Sequence, residues 1–491
     1  MRHMQVVLRL SIVAAAAAVL AGCASTPAPD AQATLRQAEA ALGAGGLKTL
    51  SFTGTGTGST FGQAWQPSIG WPALNYATLT RVLDFDNGAF REDFARSRGE
   101  PNGGGATPLM GQGEARATGF ARDDFAWNGG PTPTPVPVAL EARIHDLWTT
   151  SPQGALKAAQ KYGAVAGRRT VDGQALTTLS YTVPGKLAAT VLVDAAGLVT
   201  AVESRLPNPV LGDVEVVTRF SDYRDVAGIK FPMRIRQSQG SFEVLDIAVK
   251  EVRTQLAVDI TVPDNVRAAK ETATATKVAD GLWHIAGGSH NSVAIEMADH
   301  IVLVESPLYD GRAAAAFATA NGLVPGKTVR TVINSHHHFD HAGGLRYAVG
   351  EGATLVTSAQ AKSYFERVFT NPNRIKADRM AASGKTPNIT PVNGKLVISD
   401  ATRTLEVHEM QGSVHAQGFM MVYLPKEKAL IEADAYTPAP PNTPPPPVPN
   451  ANQVNLVQNI ERLGLNVERI LPLHGRVVPV GELYASIGRP K

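Results

Sequence analysis

The sequence of 491 residues predicts two folded regions: a mainly antiparallel β domain over 34–270 and an α/β domain over 272–491. Three observations support this. Runs that alternate apolar and polar residues, broken by Gly and Pro, dominate the first region, as half-buried strands require. Strand-like and helix-like runs alternate in the second region, which is typical of α/β domains. A His-rich segment at 334–344 follows a strand-like run within that second region.

The amino terminus predicts a signal peptide over residues 1–22. Arg2 and Arg9 form a basic start, and the apolar run at 10–20 follows it. This run is shorter than the roughly 20 residues that a membrane-spanning helix needs. The pattern therefore favours an export signal over an anchor helix.

Cys23 is the only cysteine of the chain and directly follows Leu20-Ala21-Gly22. This segment resembles the lipobox of bacterial lipoproteins, in which cleavage before the cysteine leaves it lipid-modified. The resemblance implies a lipidated Cys23, a flexible tether over 23–33 and, since Ala24 rather than Asp follows, an outer-membrane location facing the periplasm. The alternative is an ordinary secretory signal with an incidental cysteine. With no other cysteine, disulfides and further thiolate ligands are excluded.

The charge balance argues against a nucleic-acid partner. The net charge is +3, and it falls to +1 when Arg2 and Arg9 leave with the signal peptide. No basic stripe with interleaved aromatic residues is present, although such a stripe is typical of nucleic-acid binding. The expected partners are a small-molecule substrate and, through the lipid, a membrane.

The first domain is predicted to be a sheet with a few helices. The patterns predict helices at 35–42 and 155–162, a hairpin from 187–192 and 198–204, further strands within 220–236 and 242–252, and long loops over 99–138. The run from Asp222 to Pro232 resembles the strand-turn-strand of the outer-membrane lipoprotein carrier fold. That resemblance implies a curved antiparallel sheet with an apolar concave face.

The second domain is predicted to open with strands at 283–286, 292–297 and 301–304, a helix at 313–320 and a strand at 329–334. His336, His338, Asp340 and His341 follow this last strand, so four potential metal ligands fall within six residues. A solvated His-rich loop is the alternative. Against it, three more ligand-capable residues each lie near the end of an apolar run: His415, Asp434 and His474.

These motifs resemble the metallo-β-lactamase superfamily over about 275–485. The matching segments are the His-x-His-x-Asp-His-x-Gly-Gly loop, Gly-x-x-His-x-x-Gly around His415, the Asp434 that follows a strand, and Pro-x-His-Gly around His474. The resemblance implies a four-layer αββα fold. The sequence departs from the family pattern at two positions: Gln417 stands where Pro is frequent, and Glu305 stands where Asp is usual.

By the same resemblance, His336, His338 and His415 would hold one metal ion, Asp340, His341 and His474 a second, and Asp434 would bridge the two. Imidazole and carboxylate ligands suit Zn²⁺, and Mn²⁺ or Fe²⁺ also accept them. Two Zn²⁺ ions per chain are therefore expected. Di-iron members of the superfamily usually carry Glu where this chain has His338, which disfavours redox chemistry.

A dinuclear zinc site implies a hydrolase that uses a metal-bound hydroxide. The bond attacked could be an ester, lactone, thioester, amide (including a β-lactam) or phosphoester. Asp340 is the candidate catalytic residue, because it could orient the hydroxide and transfer its proton. The alternative function is a ligand-binding lipoprotein with a structural metal site.

Several nearby residues receive narrower predictions. His337 is expected to face away from the metals, and Phe339 to pack under the loop. Arg476 could meet an anionic substrate group or form an ordinary ion pair. The Pro-rich run at 438–450 is either a rim of the active site or a stiff spacer or partner-binding segment.

Overall fold

The computed structural model describes residues 28–67, 69–100, 103–105, 108 and 113–489. The predicted signal peptide, Cys23 and the first part of the tether lie outside this range. Among the described residues, no helix is both long and apolar enough to cross a membrane.

The first region is one antiparallel sheet of thirteen strands. Its strands are β1 (Thr49–Ser59), β2 (Ala73–Asp84), β3 (Ala89–Arg98), β4 (Glu114–Arg122), β5 (Phe125–Asn128), β6 (Thr134–Pro135), β7 (Val165–Val171), β8 (Gln174–Val183), β9 (Leu187–Val193), β10 (Val199–Asn208), β11 (Gly212–Val226), β12 (Ile229–Gln239) and β13 (Phe242–Thr254). Strands that follow one another in sequence pair with each other, apart from β6 and β7, which form the two edges of the sheet. In the middle of the sheet, β1 pairs with β13.

The predicted antiparallel architecture is therefore confirmed, including the hairpin at 187–204 and the strand-turn-strand at 222–232. In the latter, Val226 pairs with Ile229 across a two-residue turn. Ala227 and Gly228 have φ values of 53° and 78°, the left-handed conformation that two-residue hairpin turns need. The likeness to the lipoprotein carrier fold stays a prediction.

Three helices cover one face of this sheet: α1 (Ala31–Leu42), α2 (Leu140–Thr149) and α3 (Pro152–Lys161). Asp30 caps α1 by accepting from the Gln32 amide, and Ser151 caps α3 in the same way. Leu42, Trp148 and Leu156 of the helices share one core with the strand residues Phe52 and Phe231. The predicted helices at 35–42 and 155–162 are confirmed.

The prediction of long loops over 99–138 is wrong in part, because β4 and β5 lie inside that range. The Gly- and Pro-rich pieces end at about residue 113 and resume at 129. Between them, β4 pairs with β3 from Ala89↔Arg122 to Ser97↔Glu114 and extends the sheet. This pairing is non-local, and a count of Gly and Pro carries no information about it.

The short helix α4 (Asp264–Ala268) still packs on the first sheet, since Val266 shares a core with Trp127. The second region then consists of two sheets with helices outside them. The second sheet contains β14 (Thr274–Ala279), β15 (Leu282–Ala286), β16 (Ser292–Glu296), β17 (Ile301–Val304), β18 (Val329–Ile333), β19 (Thr354–Ser358) and β20 (Asn388–Val392). The third sheet contains β21 (Lys395–Ser399), β22 (Thr404–Glu409), β23 (Met420–Leu424), β24 (Ala429–Glu432), β25 (Arg469–Pro472) and β26 (Val478–Pro479). The helices are α5 (Asp310–Asn321), α6 (Phe339–Ala342), α7 (Leu345–Glu351), α8 (Ala359–Val368), α9 (Arg379–Ser383), α10 (Ala451–Arg462) and α11 (Val480–Ser486).

Alternation along the strands explains why these elements form four layers. Val302 and Val304 of β17 pack with Val422 of the third sheet in one core. Leu303, between them, points to the opposite face and packs with Phe317 of α5 in a separate core. Residues of α10 and α11 cover the outer side of the third sheet. The predicted α/β architecture, with two sheets between layers of helices, is confirmed.

Candidate metal centre

Parallel strand pairing brings the predicted ligands to one edge of the two sheets. In the second sheet, β17 and β18 are parallel, and the segment from His336 to His341 follows β18. In the third sheet, β24 and β25 are parallel, and Asp434 and His474 come two residues after their ends. The carboxyl ends of parallel strands meet at the same edge, which is where ligand sites of α/β folds usually lie.

The first group consists of His336, His338, His415 and Asp434, whose ligand atoms all lie within 4.8 Å of one another. The Nε2 atoms of His336 and His415 are 3.2 Å apart. His415 Nε2 is also 2.8 Å from Asp434 Oδ2. The three imidazoles are buried.

A second group, on the other side of Asp434, contains Asp340, His341 and Asp434, and a third group contains His290, His341 and His474. His341 Nε2 is 2.9 Å from Asp434 Oδ1 and 3.9 Å from Asp340 Oδ2. His474 Nε2 is 2.8 Å from the same Asp434 oxygen and 3.2 Å from His341 Nε2. Asp434 therefore lies between the first group and the other two, with one oxygen facing each side.

These spacings are compatible with metal ligation. Zinc–nitrogen bonds of about 2.0–2.1 Å in a tetrahedral site place two ligand nitrogens roughly 3.3 Å apart. The two Nε2–Nε2 separations of 3.2 Å are close to that value. Within the described part of the chain, His338 Nδ1 is a buried atom without a hydrogen-bond partner. Buried polar atoms are rarely left unpaired, so the donor set fits zinc.

Glu305 holds the ligand loop from behind. It accepts hydrogen bonds from His341 Nδ1 at 3.0 Å and Asn334 Nδ2 at 3.0 Å. Ser335 Oγ also donates to it, at 2.5 Å, and lies 3.0 Å from His336 Nδ1. Such partners fix the orientation and tautomer of a ligating imidazole. Glu305 itself is fully buried with a φ of 72°, an unfavourable backbone conformation of the kind that clusters at functional sites.

The ligand segment is not a loop throughout. Residues Phe339–Ala342 form the short helix α6, and His338 precedes its first turn. Gly343 permits this compact path, because a Cβ atom at that position would lie 1.9 Å from the Leu308 carbonyl oxygen. The backbone at 343 thus approaches that of 308 closely.

Electrostatics keep most of the cluster in metal-binding forms. Burial, assisted by repulsion from neighbouring imidazoles, holds the pKa values of His336 and His338 well below the usual range, so both are neutral at pH 7. Burial opposes ionisation of Asp434, but the charges on His341 and His415 outweigh it and hold the Asp434 pKa well below its usual value. Burial alone would lower the pKa of His341, but the negative charges of Asp434 and Asp340 outweigh burial and raise that pKa. A proton and a metal ion therefore compete for His341.

Two further residues at this site were not identified from the sequence. His290 lies between β15 and β16, with its Nε2 atom 3.4 Å from Asp340 Oδ2, and its ligand atom groups with those of His341 and His474. Gln63, from the first domain, donates from Nε2 to Asp340 Oδ1 at 2.8 Å. The position of His290 at a strand-to-loop junction was a usable signal. No local sequence pattern distinguishes Gln63 as a site residue.

The remaining candidates serve other contacts. His337 lies outside all three groups and hydrogen-bonds to the Ala64 carbonyl oxygen at 2.8 Å. Phe339 packs against Phe61 of the first domain, with ring centroids 5.3 Å apart. Arg476 forms an ion pair with Glu482 at 2.6 Å.

A cavity of about 1540 Å³ lies beside the metal-ligand groups. Its lining includes Val414 and Tyr436, which are close in sequence to His415 and Asp434, together with Trp65 and most of the Pro-rich run 439–450. Burial raises the pKa of Tyr436 to about 12, so its hydroxyl keeps its proton at neutral pH. The Pro-rich run thus borders a cavity that also includes Val414, the neighbour of His415, although none of the seven candidate ligands lines it; the rim interpretation stays a prediction.

Comparison with known proteins gives a family match and several similar solved structures. Residues 285–474 match the family model of the metallo-beta-lactamase superfamily. Similar solved structures include a metallo-beta-lactamase from Pontibacter korlensis, with 15% identity and a TM-score of 0.34 over 44% of this chain and 98% of that one. Another is a metallo-beta-lactamase from Hirschia baltica, with 18% identity and a TM-score of 0.34 over 45% of this chain and 99% of that one. The search of curated proteins found no match.

Residues 285–474 therefore form a domain of the metallo-beta-lactamase superfamily, with His and Asp clusters that could hold metal ions. The thirteen-stranded sheet precedes this domain in the chain.

Proposed function

We propose that the protein is a dinuclear zinc-dependent hydrolase of a small molecule. The observation that supports this most strongly is the convergence of all seven predicted ligand side chains in overlapping groups around Asp434. A structural site needs only one closed set of about four ligands. Two groups that share one carboxylate favour a pair of metal ions.

The proposed assignment takes the first ion from the first group and the second ion from the two groups that share His341. His336, His338 and His415 would hold one zinc ion, and Asp340, His341 and His474 the other, with Asp434 contacting both. A bound zinc pair supplies a Lewis acid for the scissile oxygen and lowers the pKa of water to about 7. Mn²⁺ or Fe²⁺ would be accepted by the same donors.

Asp340 is the residue that we propose to move the proton. Burial opposes its ionisation, but His341 and His290 outweigh burial and hold the Asp340 pKa well below the usual range. Gln63 donates to Oδ1 of Asp340, and Oδ2, 3.9 Å from His341 Nε2, faces the ligand group, where it would serve the zinc ion or the proton of the attacking water. His290 Nε2, 3.4 Å from that oxygen, is placed to keep it oriented.

The cavity beside the site favours a substrate with a sizeable apolar part. Its lining combines Trp65, Val414 and Tyr436 with prolines, and apolar linings of this kind are typical of small-molecule sites. Esters, lactones, thioesters, β-lactams and phosphoesters with such a part all remain candidates, because each presents a carbonyl or phosphoryl oxygen for zinc to polarise.

Metal analysis and a hydrolysis panel test this proposal. The full chain loaded with zinc should contain about two metal ions and should hydrolyse at least one member of a panel that represents these five bond types. His336→Ala should abolish the turnover. A metal content well below two, or turnover that survives His336→Ala, would instead favour a binding lipoprotein with a structural metal site.

We also propose that Cys23 is lipid-modified and anchors the exported protein to the outer membrane, facing the periplasm. The support is the Leu-Ala-Gly-Cys sequence after an apolar run. Labelled palmitate should be incorporated into the wild-type chain but not into Cys23→Ser, and the variant should leave the membrane fraction. Equal labelling of both chains would contradict the proposal.

A further inference from the structure

Part of the candidate metal centre is built by the first domain. The connection between β1 and β2 (residues 60–67 and 69–72, called the β1–β2 loop below) reaches the ligand segments of the second domain. Its Gly62 carbonyl oxygen accepts from the Phe339 amide at 3.1 Å, and its Trp65 carbonyl oxygen accepts from the Gln417 amide at 2.7 Å. One loop thus contacts the backbone next to His338 and next to His415.

The same loop determines which atoms two ligands can offer to a metal. His338 Nε2 donates to the Ala64 carbonyl oxygen at 2.9 Å, so this nitrogen must carry the proton when the ring is neutral. The remaining nitrogen, Nδ1, then has a free lone pair, and it is one of the buried atoms without a hydrogen-bond partner among the described residues. Gln63 fixes Asp340 in a comparable way by occupying Oδ1.

The β1–β2 loop packs tightly against the second domain. Phe61, Trp71 and Phe339 form an aromatic cluster with ring centroids 4.8–5.6 Å apart. Gly62 has a φ of 84°, and a Cβ atom there would lie 2.4 Å from Phe339 Cγ. Trp65 Nε1 adds a hydrogen bond to the Ser413 carbonyl oxygen at 3.3 Å. Close packing on both sides restricts how far Gln63 and Ala64 can move.

We propose that the first domain completes the metal centre, with Gln63 as a positioning residue for Asp340 and the Ala64 carbonyl as the group that selects the ligating nitrogen of His338. This inference rests on the proposed zinc site. It assigns the thirteen-stranded domain a direct part in metal binding, in addition to any role in anchoring or substrate capture.

The test is the zinc affinity of the full chain, measured after metal removal by competition with a chromophoric chelator. Gln63→Leu keeps the approximate size of the side chain but removes its N–H donor. Gln66→Leu makes the same change three residues further along the loop and is the matched control. Gln63→Asn keeps an amide that is one methylene too short to reach Asp340, and it replaces the leucine variant if that protein does not fold.

We expect both Gln63 variants to weaken binding of one zinc ion by about 10- to 100-fold, the range for residues that support a metal ligand. Gln66→Leu should leave both affinities unchanged. With Co²⁺ in place of zinc, the visible absorption spectrum should change only in the Gln63 variants, because the geometry around Asp340 changes. The melting temperature of the metal-free protein should be similar in all variants.

The outcomes separate this inference from the proposed function. A wild-type chain that binds no zinc would overturn the proposed function. A wild-type chain that binds zinc normally, with Gln63 variants indistinguishable from Gln66→Leu, would overturn this inference alone. A lowered melting temperature without any change in zinc affinity or Co²⁺ spectrum would show a packing role only, and it would also overturn it.

Discussion

Replacing Glu305 by Gln should weaken zinc binding by the groups that contain His341. The carboxylate accepts from three donors: His341 Nδ1, Asn334 Nδ2 and Ser335 Oγ. A Gln side chain has only one acceptor oxygen, and its NH₂ group would face at least one of these donors. Glu305 is fully buried, so water cannot replace the lost acceptor.

The magnitude follows from the contacts. Changes in residues that orient a metal ligand typically reduce metal affinity by about 10- to 100-fold. That range corresponds to about 1.4–2.7 kcal/mol of binding free energy. The zinc ion held by His341 should lose the larger share, because Glu305 contacts His341 directly and reaches His336 only through Ser335.

Stepwise zinc titration of the metal-free chain against a chromophoric chelator measures both affinities. Glu427→Gln is the matched control, since the Glu427 side chain is also buried but pairs with Arg403 at 3.0 Å within the second domain. Unchanged affinity in Glu305→Gln would refute the reasoning. An equal loss in the control would show that buried charge in general, and not the contact with His341, is responsible.

Other changes test separate parts of the structure. Burial alone would raise the pKa of Asp146, but Arg81, at 2.9 Å, outweighs burial and lowers it; the stabilisation is therefore present above about pH 4 and lost as the pH falls further. Asp146→Asn should cost about 3–5 kcal/mol at pH 7 and reduce the difference in urea-unfolding free energy between pH 7 and pH 3, whereas an unchanged pH dependence would contradict this role. Gly343→Ala should destabilise the fold by about 1–3 kcal/mol in thermal unfolding, because the added Cβ meets the Leu308 carbonyl; a melting temperature equal to that of the wild type would show that the backbone can yield there. Deleting residues 440–448 should change the range of substrates hydrolysed without changing the metal content, and identical kinetics on several substrates would remove the rim interpretation.

The parts of the site that were predictable from the sequence are those encoded locally. Four ligands lie within six residues, and Asp434 and His474 each follow a buried strand, so residue type and strand pattern were sufficient to propose them. The structure places all seven in overlapping groups. Their roles as ligands stay predictions until metal is measured.

The contribution of the first domain could not be predicted in this way. Gln63 and Asp340 are 277 residues apart, and one sequence carries no information about which distant residues meet. The same reason explains β4, whose place in the sheet depends on pairing with β3. The helix at α6 was missed because four residues are too few to show a helical period.

The acceptor that Ala64 offers to His338 is a main-chain carbonyl, so no substitution of the Ala64 side chain removes it directly. Only a shift of the β1–β2 loop can do so. Docking of that loop and zinc binding should then be thermodynamically linked, with each favouring the other by the same free energy. Zinc should therefore slow amide hydrogen exchange at the contacts made by Phe339 and Gln417, whose partners lie in the other domain. In such a protein, loss of metal would loosen the association of the two domains before either one unfolds.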